Sequence, residues 1–169
     1  MSRAIALELV GLPAFAVPEA RPVLPAEEYE RRLSALRERA GTDVVVVYGD
    51  REHFANLAFF CGFDPRFEEA LLVLHGARPT LVVGNEGLAY AQLVPVDVDV
   101  VLSPSLGLMG QDRTGGPTLA RALSGAGVEA GATVGVVGWK YLEEDEWAAD
   151  PVPIAAPAFV VDTLRHLVG

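Results

Sequence analysis

Charged and aromatic side chains are concentrated in one segment that lies between two apolar runs. The first run is the four consecutive valines Val44–Val47, and the second is Ala70–Leu74. Short apolar runs of this kind are typical of strands that are buried on both faces. In α/β proteins, the polar connections between such strands are the usual location of binding and catalytic groups. We therefore expect the functional site within residues 48–69.

The segment offers side chains suited to a substrate that carries both a carboxylate and an apolar group. Arginine binds carboxylates through charge-assisted hydrogen bonds, and aromatic rings line the apolar part of many ligand sites. The candidate substrate-binding residues are Arg51, His53, Phe63, Arg66 and Phe67. A structural role for the two arginines is an equal alternative, because acidic residues in the same segment are available to pair with them. These acidic residues are Asp50, Asp64, Glu68 and Glu69.

The rest of the chain shows no pattern typical of a catalytic centre. The three histidines lack the spacings of zinc-binding motifs, and no serine lies in a G-x-S-x-G motif. Cys61 lies among phenylalanines, which favours a place in the core over a nucleophile. Trp139 is also expected to pack in the core, with a position facing a partner as the alternative. We therefore predict neither catalytic residues nor a metal site in this chain.

Predicted helices and strands alternate along the chain. Strands are predicted at Asp43–Val47, Ala70–Leu74, Thr80–Val83, Val96–Leu102 and Thr133–Val137, and helices at Pro25–Ala40, His53–Phe60, Glu86–Leu93, Pro117–Ser124 and Pro157–Leu167. Thr80–Val83 follows Ala70–Leu74 after a short turn, which predicts a hairpin. Asp97 and Asp99 indicate a strand with one solvated face near a sheet edge. The predicted fold class is α/β, a three-layer α/β/α sandwich around a mixed sheet of five or six strands.

Composition limits the partners and the compartment. The 169 residues suffice for one domain. A net charge of −10 argues against nucleic acid and anionic membranes, which both select basic surfaces. A single cysteine and the lack of a membrane-length apolar run favour a cytoplasmic location. Residues 1–24, interrupted by Pro13, Pro18 and Pro22, are predicted to be an irregular lead-in to a domain of residues 25–169.

Residues 50–64, DREHFANLAFFCGFD, resemble a segment of the N-terminal domain of the creatinase/prolidase/Xaa-Pro aminopeptidase family (M24 metallopeptidase-like). In that family an asparagine, hydrophobic and aromatic residues, a small residue and Gly-Phe follow a buried first strand. Gly135–Trp139 resembles the family's later strand and turn, and Asp162–Gly169 resembles its final helix. The resemblance implies a mixed sheet with helices on both sides, related in outline to ribonuclease H.

The resemblance also implies that catalysis is performed by a different domain from this one. In the family, a following "pita-bread" domain holds a dinuclear metal site (Mn, Co or Zn) and performs the chemistry. We expect that catalytic domain to be absent from this chain, which would then be inactive alone, with no cofactor of its own. Its implied role is to form a homodimer and to close and shape the active site of a partner domain or subunit that acts on a peptide or small molecule. The alternative is a free-standing α/β module that binds a small ligand or peptide.

Overall fold

Five strands form one mixed sheet, and helices cover both of its faces, in the computed structural model of the chain. The structure describes residues 8–11, 23–143, 146 and 153–169. The helices are α1 (Ala26–Ala40), α2 (Ala55–Cys61), α3 (Gly87–Ala91), α4 (Leu119–Gly125) and α5 (Ala158–Val168), and the strands are β1 (Val44–Gly49), β2 (Ala70–Leu74), β3 (Thr80–Val83), β4 (Asp99–Leu102) and β5 (Val134–Val137). A short 3-10 helix spans Pro104–Leu106.

The strand order is β4-β3-β2-β1-β5. β1 pairs antiparallel with β2 and parallel with β5, while β3 pairs antiparallel with β2 and parallel with β4. Of these five strands, four run in one direction and β2, in the middle, runs in the other. The predicted mixed sheet is therefore confirmed, with Val44–Val47 inside it and Ala70–Leu74 in a hairpin with Thr80–Val83.

Two apolar cores lie on opposite faces of the sheet. Successive strand side chains point to opposite faces, so that Val45 and Val47 join one core while Val44 and Val46 join the other. Helices α1, α2 and α3 cover the first core, and α4 and α5 cover the second. Because both faces are covered, every residue of β1 and β2 is buried. This arrangement is the predicted three-layer α/β/α sandwich.

The first helix forms where the sequence predicts it. Pro25 precedes its first turn, where a missing backbone N–H costs nothing. Tyr29 and Leu33 point into the core, and acidic residues in the first turn and basic ones in the last suit the helix dipole. Gly41 ends the helix with a φ of 60°, a left-handed conformation that glycine adopts without strain.

Several elements are shorter than the sequence predicts: α3 is confined to Gly87–Ala91 and α4 begins at Leu119, and local polar contacts explain the later starts of α2 and β4. Helix α2 begins at Ala55 rather than His53, because the Asp50 side chain accepts hydrogen bonds from the next backbone N–H groups and holds them in a turn. Strand β4 begins at Asp99, whose N–H donates to the Pro79 carbonyl at 2.9 Å. Asp97 precedes the strand and pairs with Arg78 instead. β4 lies at the edge of the sheet, as its two aspartates predict.

A reciprocal polar latch joins the beginnings of β1 and β5. The Asp43 carboxylate accepts hydrogen bonds from the Thr133 backbone N–H at 2.8 Å and from its hydroxyl at 2.7 Å. The Asp43 N–H donates in turn to the Thr133 hydroxyl at 3.0 Å. The hydrogen bonds from Thr133 hold the pKa of Asp43 below its ordinary value. The latch fixes the register in which the parallel pair meets.

Most of the predicted lead-in, residues 1–24, lies outside the described residues. The described part, residues 8–11, 23 and 24, is exposed and belongs to no helix or strand. Among the described helices, none combines the length and the apolar character that crossing a bilayer requires.

Candidate functional site

A cluster of polar and aromatic side chains lies at the carboxyl ends of β1 and β5. It consists of Tyr48, Asp50, His53, Glu69 and Trp139, and is called the β1 cluster below. Since β1, β3, β4 and β5 all run in the same direction, the loops that follow them lie at the same end of the sheet, where these strands have their carboxyl ends. Ligands of α/β proteins bind outside the carboxyl ends of such strands.

Asp50 organises the backbone that carries His53. One carboxylate oxygen accepts hydrogen bonds from the backbone N–H of Glu52 at 2.8 Å and of His53 at 2.7 Å. Both carboxylate oxygens lie 3.0 Å from Nδ1 of the His53 ring. A carboxylate accepts and does not donate, so Nδ1 carries a proton and Nε2 faces away from Asp50. Burial disfavours the charge on Asp50, but these hydrogen bonds outweigh it and lower its pKa.

Trp139 covers the other side of the His53 ring. The two rings are stacked, with centroids 4.7 Å apart and planes inclined by 27°. Trp139 also meets the Tyr48 ring at 5.6 Å, yet its side chain is 41% exposed. The indole therefore forms an apolar surface open to a partner, which differs from the core position that the sequence suggests.

The turn that carries Trp139 is fixed from both sides. Asn56, in the first turn of α2, donates a hydrogen bond to the Gly138 carbonyl at 2.7 Å. The Trp139 N–H donates to the Ala155 carbonyl at 3.0 Å. A Cβ at Gly138 would overlap that same carbonyl, so the approach of the two backbones requires glycine here.

Tyr48 connects Asp50 to Glu69 inside the cluster. Its buried hydroxyl lies 2.7 Å from the Glu69 carboxyl and 3.0 Å from Asp50. A hydroxyl has one proton to donate, so Tyr48 can donate to only one of the two carboxyls. Both contacts are hydrogen bonds when Tyr48 donates to Asp50 and a protonated Glu69 donates to the Tyr48 oxygen. Burial raises the pKa of Glu69, the charge of Asp50 raises it further, and the bond from Tyr48 opposes the rise. Burial and the two carboxyls also raise the pKa of Tyr48.

The cluster can orient an imidazole and offer it to a ligand, but among the described residues the groups around it do not complete a nucleophilic centre. Cys61 is buried, its thiol donates to the Leu57 carbonyl at 3.2 Å, and burial raises its pKa to about 12. It is a core residue, as predicted. Within residues 8–11, 23–143, 146 and 153–169, no group of three or more His, Cys, Asp or Glu side chains is placed to hold a metal ion.

The structure places the five predicted substrate-binding residues in different surroundings. His53 belongs to the β1 cluster. Phe63 and Arg66 line a cavity of about 240 Å³ with Tyr90, and Phe63 packs in the core on the opposite face of the sheet from Tyr48. Phe67 is exposed, and so is Arg51. Substrate binding by these five residues stays a prediction, with His53 separated from the Phe63–Arg66 pair.

Arg66 is held by local contacts. Its backbone has a φ of 62°, which is uncommon outside glycine. The Asp64 carboxylate accepts from its backbone N–H at 2.9 Å and lies 3.8 Å from its guanidinium. The guanidinium also lies 5.4 Å from the centre of the Tyr90 ring. The ion pair with Asp64 is one of the structural pairings that the sequence suggests.

Glu68 takes a role that the sequence does not reveal. It is 3% exposed, and its Oε2 accepts hydrogen bonds from the backbone N–H of Glu86 at 2.9 Å and Gly87 at 3.0 Å, where α3 begins. Its Oε1 is also buried and has no hydrogen-bond partner in the described part of the chain. A Cβ at Gly84 would overlap the carboxyl. Glu68 therefore supports the fold rather than pairing with the loop arginines.

Replacing Glu69 by glutamine is expected to reduce the pH dependence of stability. The folded pKa of Glu69 is raised above its ordinary value of 4.5. The carboxyl thus contributes stability that is present below the unfolded pKa and lost as pH rises through the folded pKa. Glutamine stays neutral, so the free energy of unfolding of Glu69→Gln, relative to the unsubstituted chain, should increase from about pH 4 to about pH 8.

Urea unfolding across that pH range measures the difference. The control is Glu52→Gln, which changes an exposed glutamate of the same segment. A stability difference for Glu69→Gln that does not vary with pH would contradict the expected protonation of Glu69.

Comparisons with known proteins give distant likenesses. No protein-family model matches the chain, and no curated protein matches it. The chain is similar to the dipeptidase PepE from Mycobacterium ulcerans, with 21% identity over 86% of this chain and 34% of that one, at a TM-score of 0.47. It is also similar to an XXA-Pro aminopeptidase from Streptococcus pyogenes, with 19% identity over 47% of this chain and 59% of that one, at a TM-score of 0.37.

A Xaa-Pro dipeptidase from Bacillus anthracis is similar at 14% identity over 85% of this chain and 31% of that one, with a TM-score of 0.43. The chain thus spans about a third of the length of two of these proteins and less than two thirds of the other.

Proposed function

We propose that the chain is a non-catalytic N-terminal domain of a Xaa-Pro peptidase- or creatinase-like hydrolase of the cytoplasm. In this proposal it contributes to a homodimer and closes and shapes the active site of a partner domain or subunit. The observation that carries the proposal is the exposed His53–Trp139 stack, which Asp50 holds at the carboxyl end of the sheet.

A rigid aromatic surface of this kind supports a closing role. Hydrolases gain rate when water is excluded from the reacting groups and the substrate is held in one orientation. The indole of Trp139 supplies an apolar cover, and Nε2 of His53, which faces away from Asp50, is the ring atom proposed to hydrogen-bond a substrate or partner group. Both rings are fixed by hydrogen-bonded neighbours, so little side-chain entropy is lost when a partner contacts them.

The resemblance of residues 50–64 to the family segment agrees with this geometry. The matching residues form the turn at Asp50 and helix α2, and the asparagine of the motif, Asn56, supports the turn that carries Trp139. In the proposal the partner's dinuclear metal site (Mn, Co or Zn) supplies the activated water. In the proposal, this chain contacts the substrate through the β1 cluster and, at separate positions, through Arg51, Phe63, Arg66 and Phe67.

The proposal predicts that the isolated chain hydrolyses neither Xaa-Pro dipeptides nor creatine, with or without added Mn²⁺ or Co²⁺. A metal-activated water needs a fixed set of several ligands. Turnover that persists through repurification and is abolished by a point substitution in this chain would overturn the non-catalytic role.

The same proposal predicts kinetic defects in the complete protein that carries this domain. Trp139→Ala and Arg66→Ala should each lower kcat/KM by about tenfold or more, equivalent to ~1.4 kcal/mol, with little change in Tm. The matched control is Phe159→Ala, which removes a comparably exposed ring from α5. Unchanged kinetics in both variants, or losses of activity that follow losses of stability, would return these residues to a structural role.

A free-standing binding module is the second candidate, and the cavity lined by Phe63, Arg66 and Tyr90 favours it. It provides a guanidinium beside aromatic rings, which suits a small carboxylate ligand. A complete gene product without a catalytic domain, together with ligand binding that Arg66→Ala abolishes, would select this candidate over the first.

A further inference from the structure

A second cavity lies at the other end of the strands from the β1 cluster, where β3 and β4 begin. It has a volume of about 360 Å³ and lies between α1 and the segments that lead into β3 and β4. Its polar lining consists of Glu30, Ser34, Arg37, Arg78 and Asp97, while apolar side chains, Val96 among them, complete the wall. The volume falls within the usual range for small-molecule sites.

The two arginines of this cavity differ in how their charge is compensated. Arg78 lies 2.7 Å from the Asp97 carboxylate and 3.0 Å from that of Asp99. Arg37 donates to the Ala77 carbonyl at 3.3 Å and lies within ion-pair distance of no carboxylate among the described residues. The chain has a net charge of −10, so a guanidinium without an acidic partner is unexpected.

Partial burial makes this lack of compensation costly. The Nε of Arg37 is buried and has no hydrogen-bond partner in the part of the chain that the structure describes. The desolvation of the guanidinium lowers its pKa. A charged group removed from water is stabilised when an anion pairs with it, and the planar guanidinium suits a carboxylate or a phosphate group.

The remaining lining selects between these anions. Glu30 lies seven residues before Arg37 on α1, about two turns away on the same face, and forms no ion pair with the residues described. Its negative charge disfavours a dianionic phosphate and favours a ligand that also carries an ammonium group. The apolar wall favours an aliphatic side chain.

We propose that this cavity binds a small zwitterion of amino-acid size, with its carboxylate on Arg37 and its ammonium group toward Glu30. The site is separate from the β1 cluster and does not depend on the function proposed for that cluster.

Three probes that differ by one group test the proposal on the full chain. L-leucine carries both charges, 4-methylpentanoate lacks the amino group, and leucinamide lacks the carboxylate; inorganic phosphate is the fourth probe. Shifts of the Arg37 Nε–H resonance during titration to about 10 mM report binding. We expect leucine to bind most tightly, 4-methylpentanoate to bind more weakly, and leucinamide and phosphate not to bind.

Variants separate the two charges. Arg37→Met, followed through the backbone amides of residues 77–79, should weaken leucine binding at least tenfold, whereas Arg39→Met, an exposed arginine of the same helix, should leave it unchanged. Glu30→Gln should remove the advantage of leucine over 4-methylpentanoate. Arg37→Met should not lower Tm without ligand, because removing the buried unpaired Nε–H offsets the loss of the exposed hydrogen bond to the Ala77 carbonyl.

Several results would overturn the assignment. These are no shift with leucine or 4-methylpentanoate, equal binding by leucinamide, tighter binding by phosphate, or leucine binding that survives Arg37→Met. A lower Tm for ligand-free Arg37→Met would assign the arginine to the fold instead.

Discussion

Replacing Glu68 by alanine should lower the free energy of unfolding by about 3 kcal/mol or more. The substitution leaves the buried N–H of Gly87 and the partly buried N–H of Glu86 without their acceptor, and an unsatisfied buried donor costs about 1–3 kcal/mol. It also leaves a cavity where the carboxyl packs against Gly84. For a chain of this length, the expected fall in Tm is roughly 6 °C or more.

Thermal and urea unfolding measure this loss, and two variants define its cause. Glu68→Gln keeps an amide oxygen as acceptor and should retain most of the stability. Glu52→Ala removes an exposed glutamate of the preceding segment and should change the free energy of unfolding by less than about 0.5 kcal/mol. If Glu68→Ala behaved like Glu52→Ala, the cost of burying the unpartnered Oε1 would equal the gain from the two hydrogen bonds.

Replacing Gly138 by alanine should lower the free energy of unfolding by about 2 kcal/mol or more. The new Cβ would overlap the backbone of Ala155 rather than a flexible side chain, and forcing an extra carbon into a packed site costs about 1–3 kcal/mol. Separation of the two backbones would also break the hydrogen bond from the Trp139 N–H to Ala155. The substitution therefore disturbs both the fold and the position of the indole.

Urea unfolding gives the stability loss, and tryptophan fluorescence reports the indole. Trp139→Phe identifies the part of the emission that belongs to Trp139. The control is Gly125→Ala, because a Cβ at Gly125 meets no atom within 4 Å and the residue ends α4; this variant should be neutral or slightly stabilising. Equal behaviour of the two variants would show that the turn at Gly138 relaxes without cost.

Apolar patterning predicts the sheet because it is a local property. The runs Val44–Val47 and Ala70–Leu74 are buried on both faces, as their length and continuous apolar character predict for interior strands. Helix α1 is equally clear from its periodicity and its terminal residues. The start of α2 cannot be predicted in this way, because the side chain of Asp50 competes with the helix for backbone N–H groups.

The candidate site is less predictable because it combines distant residues. The segment 48–69 contains four members of the β1 cluster, but the sequence does not show that Tyr48 joins Asp50 to Glu69. Trp139 comes from the end of β5 and meets His53 through the parallel pairing of β5 with β1. Glu68 and Glu69 both precede β2, yet Glu68 accepts from the backbone at the start of α3 whereas Glu69 contacts Tyr48, so neighbouring glutamates have different roles.

The latch between Asp43 and Thr133 has a consequence for chain entropy. These residues are 90 positions apart, and closing a flexible loop of that length costs about 4 kcal/mol. Three hydrogen bonds at the exposed ends of two strands contribute about 1 kcal/mol each. The latch therefore cannot close the loop alone. The buried valines of β1, each contributing roughly 1.5–3 kcal/mol, supply most of the free energy of closure together with the half-buried valines of β5, and the latch selects the alignment in which the two strands meet.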